Sequence, residues 1–357
     1  MSGLTRQQMY SRYKQQEDWA KEFLTHAQSI IDSSGSSLPE RLEEVRLLIE
    51  HTLIAADEVM QLRGDIRQYY NSDPGHDQAI NWVYVNIITP ATQLGDRLNL
   101  QYNRHPRCRP SGVSHFHRIR RGIDGLFSSK GCEPARACFL NPGKKQHAFF
   151  FAGSGCVEID VKPGTTDDTI VNKPTLIINQ WPFLRPAGFF IVDAVLPNPA
   201  NSNEAYFFSG DKYALVNIND RRIVQGPHVT TTRWPSLKSA RFTMIDAVLP
   251  HPNNNGEAYF FSGNLYALIK INPGTSNDYI VNGPKQIMTE WPSLRSAGFD
   301  TVDAVLPNPN NQREAYFFSR ENYALISIKP GTNDDKIVNG PKLVSEGWPS
   351  LREALFY

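Results

Sequence analysis

Aspartate recurs at one position of a repeated segment. Asp193, Asp246 and Asp303 each precede an Ala-Val-Leu-Pro sequence, and Asp124 stands at the corresponding place in a more divergent copy. If the copies surround one axis, the four carboxylates repel one another unless a cation lies among them or the side chains turn away. Two interpretations follow: an axial cation site, or carboxylates that only accept hydrogen bonds from loop backbone.

A second recurring pair is a polar residue followed by alanine, at the start of an aromatic run. The polar members are Glu204, Glu257, Glu314 and His147, and the small members are Ala148, Ala205, Ala258 and Ala315. Alanine at such a position lets backbone groups face an axis, and three carboxylates with one imidazole suit a polyamine. The alternative is that alternation along a strand points these polar side chains away from any axis.

These residues belong to units of about 55 residues, whose number and length indicate the fold. Four tryptophans each precede a proline, and they lie 53, 57 and 57 residues apart: Trp181, Trp234, Trp291 and Trp348. Within a unit, runs such as VDAVL, EAYFF and YALVNI are short, β-branched and aromatic, and Pro, Asn and Gly separate them. A further strand fits the IVNGP region, and WPSLR predicts a short helix with proline in its first turn. Four repeated small sheets predict a radial array.

The combination of Asp-Ala, EAYFF, PGTxxD and WPSLR resembles the hemopexin-repeat family, in its plant albumin-2-like branch. This predicts an all-β four-bladed hemopexin-like propeller over residues 122–357, behind an N-terminal α-helical bundle. The expected blades span about 122–188, 189–242, 243–299 and 300–357. The first is divergent: it opens with GIDGLF, and an insertion carrying Cys132 and Cys138 lengthens its first loop. The second lacks the PGT segment.

The resemblance also implies ligands. It implies a calcium or sodium ion bound by the backbone carbonyls of Asp124, Asp193, Asp246 and Asp303, and a second ion near the four alanines. It further implies haem or a spermine-like polyamine as a small ligand. Haem iron needs an axial ligand such as histidine, and the candidates are His105, His115, His117, His147, His228 and His251. Many extracellular members join the first and last blades by a disulfide. The last blade here has no cysteine, so closure must come from strand pairing and packing.

The first hundred residues show apolar spacing typical of helices. One stripe runs from Met9 to Ile30 and a second from Leu42 to Met60, with a turn signal at Ser36–Pro39 between them. Asp73-Pro74 can cap a third helix, which Pro90 would kink. A three-helix bundle over 1–104 is the prediction, and it matches no family we recognise. Five arginines and no acidic residue make the connecting segment 105–121 basic, which suits either a solvated linker or an anion contact.

Composition and motifs restrict the function. The net charge of +1 gives no field for nucleic acid, and no apolar run is long enough to span a bilayer. With no signal-like N-terminus, a cytoplasmic location and reduced thiols are expected, although disulfides or zinc at Cys108, Cys132, Cys138 and Cys156 remain alternatives. HExxH, GxSxG and P-loop motifs are missing, which predicts a protein that is not an enzyme.

The leading hypothesis is a metal-holding binding protein for haem or a polyamine. One alternative is a defence or toxin-like, lectin-like protein that recognises a surface glycan or receptor, with a helical domain that forms homo-oligomers or acts on membranes. Another is a protein-interaction scaffold.

Overall fold

The computed structural model describes residues 6–70, 75–98 and 137–357. The chain divides into two compact units, Met1–Gly131 and Cys132–Tyr357. The predicted basic linker 105–121 lies outside the described residues, as do Asp124, His105, His115 and His117.

The N-terminal unit is built from two long helices, α1 (Arg6–Ser34) and α2 (Leu38–Tyr70), joined by a 3-10 turn. They pack against each other along the stripes that the sequence predicts. Phe23 of α1 and Val45, Leu48 and Ile49 of α2 are almost fully buried. The predicted helical character of this region is confirmed.

The third helical segment contains α3 (His76–Val83) and α4 (Thr89–Arg97), with a π-helical turn at Tyr84–Ile88 between them. Pro90 lacks an amide hydrogen, and its ring would collide with the carbonyl four residues earlier in a regular helix. The wider π turn directly before Pro90 relieves that conflict. Its Ile87 packs with Ala20 and Val59 of the first two helices. Among the described residues, no helix is long and apolar enough to cross a membrane.

The second unit is a propeller of four separate antiparallel sheets, each formed within one repeat. Blade one contains β1 (Ala137–Leu140), β2 (His147–Ala152), β3 (Gly155–Asp160), β4 (Thr169–Ile170) and β5 (Thr175–Leu176). Blade two contains β6 (Ala194–Pro197), β7 (Glu204–Ser209), β8 (Lys212–Asn217) and β9 (Arg222–Val229). Blade three contains β10 (Ala247–Pro250), β11 (Glu257–Ser262), β12 (Leu265–Lys270) and β13 (Tyr279–Gln286). Blade four contains β14 (Ala304–Asn308), β15 (Asn311–Ser319), β16 (Asn322–Ser327) and β17 (Lys336–Leu343).

The second strand of each sheet is buried on both faces, which explains why these strands read EAYFF rather than alternating with polar residues. In β7, Tyr206 and Phe208 face the cluster around Trp234. Ala205 and Phe207 point the other way, into the cluster around Trp181. Each blade therefore contributes to two of the four interblade cores.

Short helices close each blade, and the repeated tryptophan lies between them. They are α5 (Ile177–Gln180) with a 3-10 turn at Pro182–Leu184, α6 (Thr230–Arg233) and α7 (Pro235–Ala240), α8 (Ile287–Glu290) and α9 (Pro292–Ala297), and α10 (Val344–Gly347) and α11 (Pro349–Glu353). Proline occupies the start of the second helix in each pair, as its fixed φ favours.

An aspartate of one blade binds the Trp-Pro-Ser segment of the blade before it, a contact we call the Asp–Ser latch. Asp278 accepts hydrogen bonds from the backbone N–H of Ser236, at 2.9 Å, and from its hydroxyl. Asp335 does the same for Ser293, also at 2.9 Å. Asp168 does so for Ser350, at 3.0 Å. The third latch joins the first blade to the last.

The boundary between blades one and two has no such latch, and the sequence changes on both sides of it. Phe183 stands where the other repeats have serine, and blade two lacks the PGTxxD loop that carries the aspartate. Instead, Phe183 and Ile223 pack against the apolar cluster around Trp181. An apolar contact thus replaces a polar one at this boundary.

The ring closes without strand pairing between blades, because every described sheet stays within its own repeat. One apolar cluster combines Phe150 and Val157 of blade one with Phe318 and Trp348 of blade four, and the C-terminal Tyr357 joins it. The rings of Phe150 and Trp348 lie 5.6 Å apart in an edge-to-face arrangement. Among the described residues, packing and the Asp168–Ser350 latch close the ring, and no strand pairing, which the sequence also suggested, joins the first blade to the last.

Glycine is required in the outer strands of blades two to four. Gly226, Gly283 and Gly340 have φ values of 97° to 100°. A Cβ atom on Gly283 would lie 2.8 Å from the backbone oxygen of Tyr266. In blade one Lys173 replaces this glycine, and the outer strand there is divided into β4 and β5.

We expect Asp168→Ala to lower the free energy of unfolding by about 1–3 kcal/mol, because it removes two hydrogen bonds to a buried carboxylate. Urea denaturation followed by tryptophan fluorescence measures the change. Asp278→Ala is the matched control, since it breaks the same latch between blades two and three. If Asp278→Ala destabilised the protein and Asp168→Ala did not, the latch would have no part in ring closure.

Candidate functional site

The first strands of the four blades follow one another around a ring. Strand β1 contacts β6 and β14, and β10 contacts the same two strands. We call this arrangement the ring of first strands. It is the place in the fold where one position of each repeat can approach the same axis.

Three of the predicted aspartates lie directly before these strands, but their carboxylates serve the nearby turns. Asp193 accepts a hydrogen bond from the backbone N–H of Gly210 at 2.7 Å, and Asp303 from that of Arg320 at 2.5 Å. Asp246 accepts one from Gly263 in the same way. Each turn whose N–H group donates this hydrogen bond joins the second and third strands of the same blade. The carboxylates therefore stabilise local backbone.

The fourth aspartate of the predicted set, Asp124, lies outside the described residues, and strand register places another residue at its position. Ala137 pairs with Phe151 in blade one as Ala194 pairs with Phe208 in blade two. The residue before Ala137 is Arg136, so ACFL, and not GIDGLF, is the counterpart of DAVLP. Only three of the four repeats carry aspartate before the first strand.

The four alanines proposed as a second ring lie elsewhere. Ala148, Ala205, Ala258 and Ala315 belong to the second strands, which pair on one side with the first strand and on the other with the third. All four side chains are fully buried in the interblade clusters. A backbone paired on both sides does not face the axis, so the structure corrects this prediction.

The glutamates next to those alanines stabilise the loops between first and second strands. Glu204 accepts a hydrogen bond from Asn198 Nδ2 at 2.8 Å, and Glu257 one from Asn254 Nδ2 at 2.7 Å. Glu314 accepts from Asn308 Nδ2 and Asn311 Nδ2, both at 2.8 Å. The polyamine set is thus divided among separate loops, each with its own polar contacts.

His147 takes a different part in blade one, where it meets a buried carboxylate. Its Nδ1 lies 3.0 Å from Glu158 Oε1, and Asn141 Nδ2 donates to the same oxygen at 2.9 Å. Burial alone would raise the pKa of Glu158, but the hydrogen bonds from Asn141 and His147 outweigh it and lower that pKa. The position that is glutamate in blades two to four is therefore histidine in blade one, where it is the partner of Glu158.

The other described histidines also have neighbours. His251 stacks on Tyr259 with ring centroids 5.6 Å apart, and its Nδ1 accepts a hydrogen bond from Asn253 N–H at 3.2 Å. Burial lowers the pKa of His251. His228 lies beside Tyr213. Within residues 6–70, 75–98 and 137–357, no three His, Cys, Asp or Glu side chains gather in a way that could hold a metal ion.

Two of the four cysteines are described, and both are buried thiols. Cys138 lies in β1, and so is part of a strand and not of an inserted loop as predicted, while Cys156 lies in β3. They belong to different apolar clusters on opposite faces of the sheet and are not bonded to each other. Burial raises the pKa of both thiols, which favours the neutral form.

Comparisons with known proteins agree with the propeller. The hemopexin family model matches residues 192–239. Albumin-2 of Pisum sativum is 27% identical over 215 residues, which cover 58% of this chain and 91% of that protein. A solved hemopexin fold protein from cow pea is 26% identical with a TM-score of 0.55, covering 62% of this chain and 98% of that one. A solved plant lectin with two metal binding sites, from Cicer arietinum, is 27% identical with a TM-score of 0.55, covering 61% and 97%. The N-terminal helical region is not matched.

We predict that Glu158 contributes to stability in a pH-dependent way. Its lowered pKa means that the contribution is complete above the ordinary glutamate value of 4.5 and is lost as pH falls through the lower value in the folded protein. The difference in unfolding free energy between the natural protein and Glu158→Gln should therefore narrow as pH falls below 4.5. Asp220→Asn, at an exposed turn, is the control; a Glu158→Gln difference that stayed constant down to pH 3 would contradict the prediction.

Proposed function

Because residues 137–357 form a propeller of the hemopexin type, similar to albumin-2 and to a plant lectin, we propose that this chain is a non-enzymatic recognition protein that binds carbohydrate. We also propose that it holds a calcium or sodium ion within the ring of first strands. The observation that carries the proposal is the similarity to the Cicer arietinum lectin with two metal binding sites, over 97% of that protein's length.

The ring of first strands fits a hard cation through backbone oxygen. The carboxylates of Asp193, Asp246 and Asp303 already accept hydrogen bonds from turn amides, which leaves the carbonyl groups near the axis as ligands. Calcium and sodium accept neutral oxygen ligands, and calcium tolerates several coordination numbers.

Haem and polyamines, the other ligands that the sequence suggests, receive less support. Haem requires an axial ligand within an apolar slot. His147 and His251 instead have polar and aromatic partners in different blades. A polyamine requires carboxylates gathered in one place, whereas Glu204, Glu257 and Glu314 bind asparagines of separate loops. Carbohydrate recognition needs neither an axial iron ligand nor a cluster of carboxylates.

We expect calcium to raise the melting temperature of the full chain and a chelator to lower it, because a ligand bound only to the folded state stabilises it. The gain is about 2.7 kcal/mol at a concentration one hundred times the dissociation constant. Differential scanning calorimetry in calcium, in sodium with chelator and in potassium with chelator separates the two ions. Equal melting temperatures in all three buffers would exclude a stabilising cation of either kind.

Asp246→Asn tests which atoms hold that ion. The carboxylate accepts a hydrogen bond from Gly263, so the substitution should lower stability while the calcium-dependent rise in melting temperature persists. Loss of the calcium response in Asp246→Asn would assign the carboxylate, and not the backbone, as the ligand.

Carbohydrate binding is tested by incubating the purified, calcium-loaded full chain with a glycan array. We expect saturable binding to a restricted set of glycans and its inhibition by the free sugar. Hemin and spermine serve as parallel probes, and we expect neither to displace the glycan. A saturable one-to-one Soret shift with hemin, together with an array showing no binding, would favour haem and overturn the proposal.

A further inference from the structure

A cleft opens where the last blade meets the first. It lies between the loop 163–168 of blade one and the outer part of blade four, and its volume is about 510 Å³. We call it the closing-seam cleft. Its size falls within the roughly 300–1,000 Å³ that small-molecule sites occupy. All its lining residues belong to the propeller.

A single glycine distinguishes this boundary from its equivalents. The residue before the repeated tryptophan is Arg233 in blade two and Glu290 in blade three, but Gly347 in blade four. In blade three, Glu290 pairs with Lys285 at 2.9 Å. The equivalent pair cannot form with Lys342, because Gly347 has no side chain. A Cβ atom on Gly347 would also lie within 2.2 Å of the Tyr323 hydroxyl. Glycine at this position therefore leaves room for the Tyr323 ring at the edge of the cleft.

The floor of the cleft offers a hydrogen-bond acceptor and a donor. Asp168 is 7% exposed and Trp348 is 3% exposed, and both line the cleft. Asp168 Oδ2 is engaged in the latch to Ser350. Asp168 Oδ1 and Trp348 Nε1 are buried without a partner among the described residues. Buried polar atoms without partners are uncommon in folded proteins, and Trp181 Nε1, at the boundary of blades one and two, is another.

The walls are polar and nearly balanced in charge. Lys162 and Lys342 face three carboxylates, those of Asp167, Asp168 and Glu346. Thr165, Thr166 and Asn339 add neutral donors and acceptors, and the phenol rings of Tyr316 and Tyr323 add apolar surface. A strongly charged ligand of either sign would meet like charges there. The hydroxyl groups of a neutral ligand could form hydrogen bonds with the polar side chains, and its apolar C–H faces could pack on the two phenol rings.

We propose that the closing-seam cleft binds a neutral mono- or disaccharide. This inference rests on the proposed carbohydrate-binding function and assigns its site. No histidine lines the cleft to ligate haem iron. The cleft lies away from the ring of first strands, so a cation there and a sugar here occupy separate places in the propeller.

The test uses Thr166→Arg, which places a long charged side chain at the wall of the cleft. Thr166 is exposed, so the substitution leaves the core and the latch intact. Ser276→Arg is the matched control, because Ser276 occupies the same position in the equivalent loop of blade three. Circular dichroism and melting temperature of both variants should equal those of the natural protein.

Saturation-transfer NMR of the full chain with galactose, mannose, N-acetylglucosamine and lactose measures binding. We expect at least one of these sugars to bind the natural protein and the Ser276→Arg variant equally, and to bind Thr166→Arg roughly tenfold more weakly, because a clash in a preformed site is not relieved elsewhere. Equal binding to all three proteins would place the sugar elsewhere while preserving the proposed function. No binding of any of the four sugars to the natural protein, with no hit on the glycan array, would overturn both.

Discussion

The packing of one tryptophan between each pair of adjacent blades is the interaction on which the propeller depends. Trp234 lies 5.2 Å from Tyr206 of its own blade and 5.7 Å from Phe260 of the next, measured between ring centroids. Trp348 repeats this with Tyr316 and with Phe150, and so connects the last blade to the first. Edge-to-face aromatic pairs contribute about 0.5–1.5 kcal/mol each beyond the area they bury. Four such centres hold together sheets that share no backbone hydrogen bonds, and they fix where the ring of first strands and the closing-seam cleft can form.

The number of blades and the burial of their second strands could be predicted from the sequence, because every blade repeats the same pattern of residues. The spacing of Trp181, Trp234, Trp291 and Trp348 gives the number of blades, and the EAYFF runs give strands buried on both faces. The predicted start of the first blade is wrong, because the first strand of that blade differs from the other copies at most positions. RACFL has only its alanine in common with DAVLP, whereas GIDGLF retains an Asp in a similar setting and so resembles the other copies more closely. The pairing of β1 with β2 identifies the first strand of blade one. Such pairing between distant residues is not visible in one sequence.

The candidate site was harder to predict, since a repeated residue indicates a repeated role without indicating which. The glutamates beside Ala205, Ala258 and Ala315 recur because each stabilises a loop asparagine, not because they share a ligand. The Asp–Ser latch does leave a signal in the sequence. Phe183 replaces serine in the one repeat whose successor lacks the PGTxxD loop, so both partners are lost together. The closing-seam cleft has no such pattern, because the residue before the repeated tryptophan differs in every repeat: Gln180, Arg233, Glu290 and Gly347.

The latch across the seam has a consequence for the order of the blades. Ser350 meets Asp168 through the same atoms that join Ser236 to Asp278 within the continuous chain. The latch therefore has the same form at a boundary that the chain crosses directly and at the boundary between the last and first blades. A circular permutant of the propeller that begins at blade three or four retains every latch and every tryptophan contact. Such interchangeability is what one expects of a protein built from structural repeats whose boundaries make the same contacts.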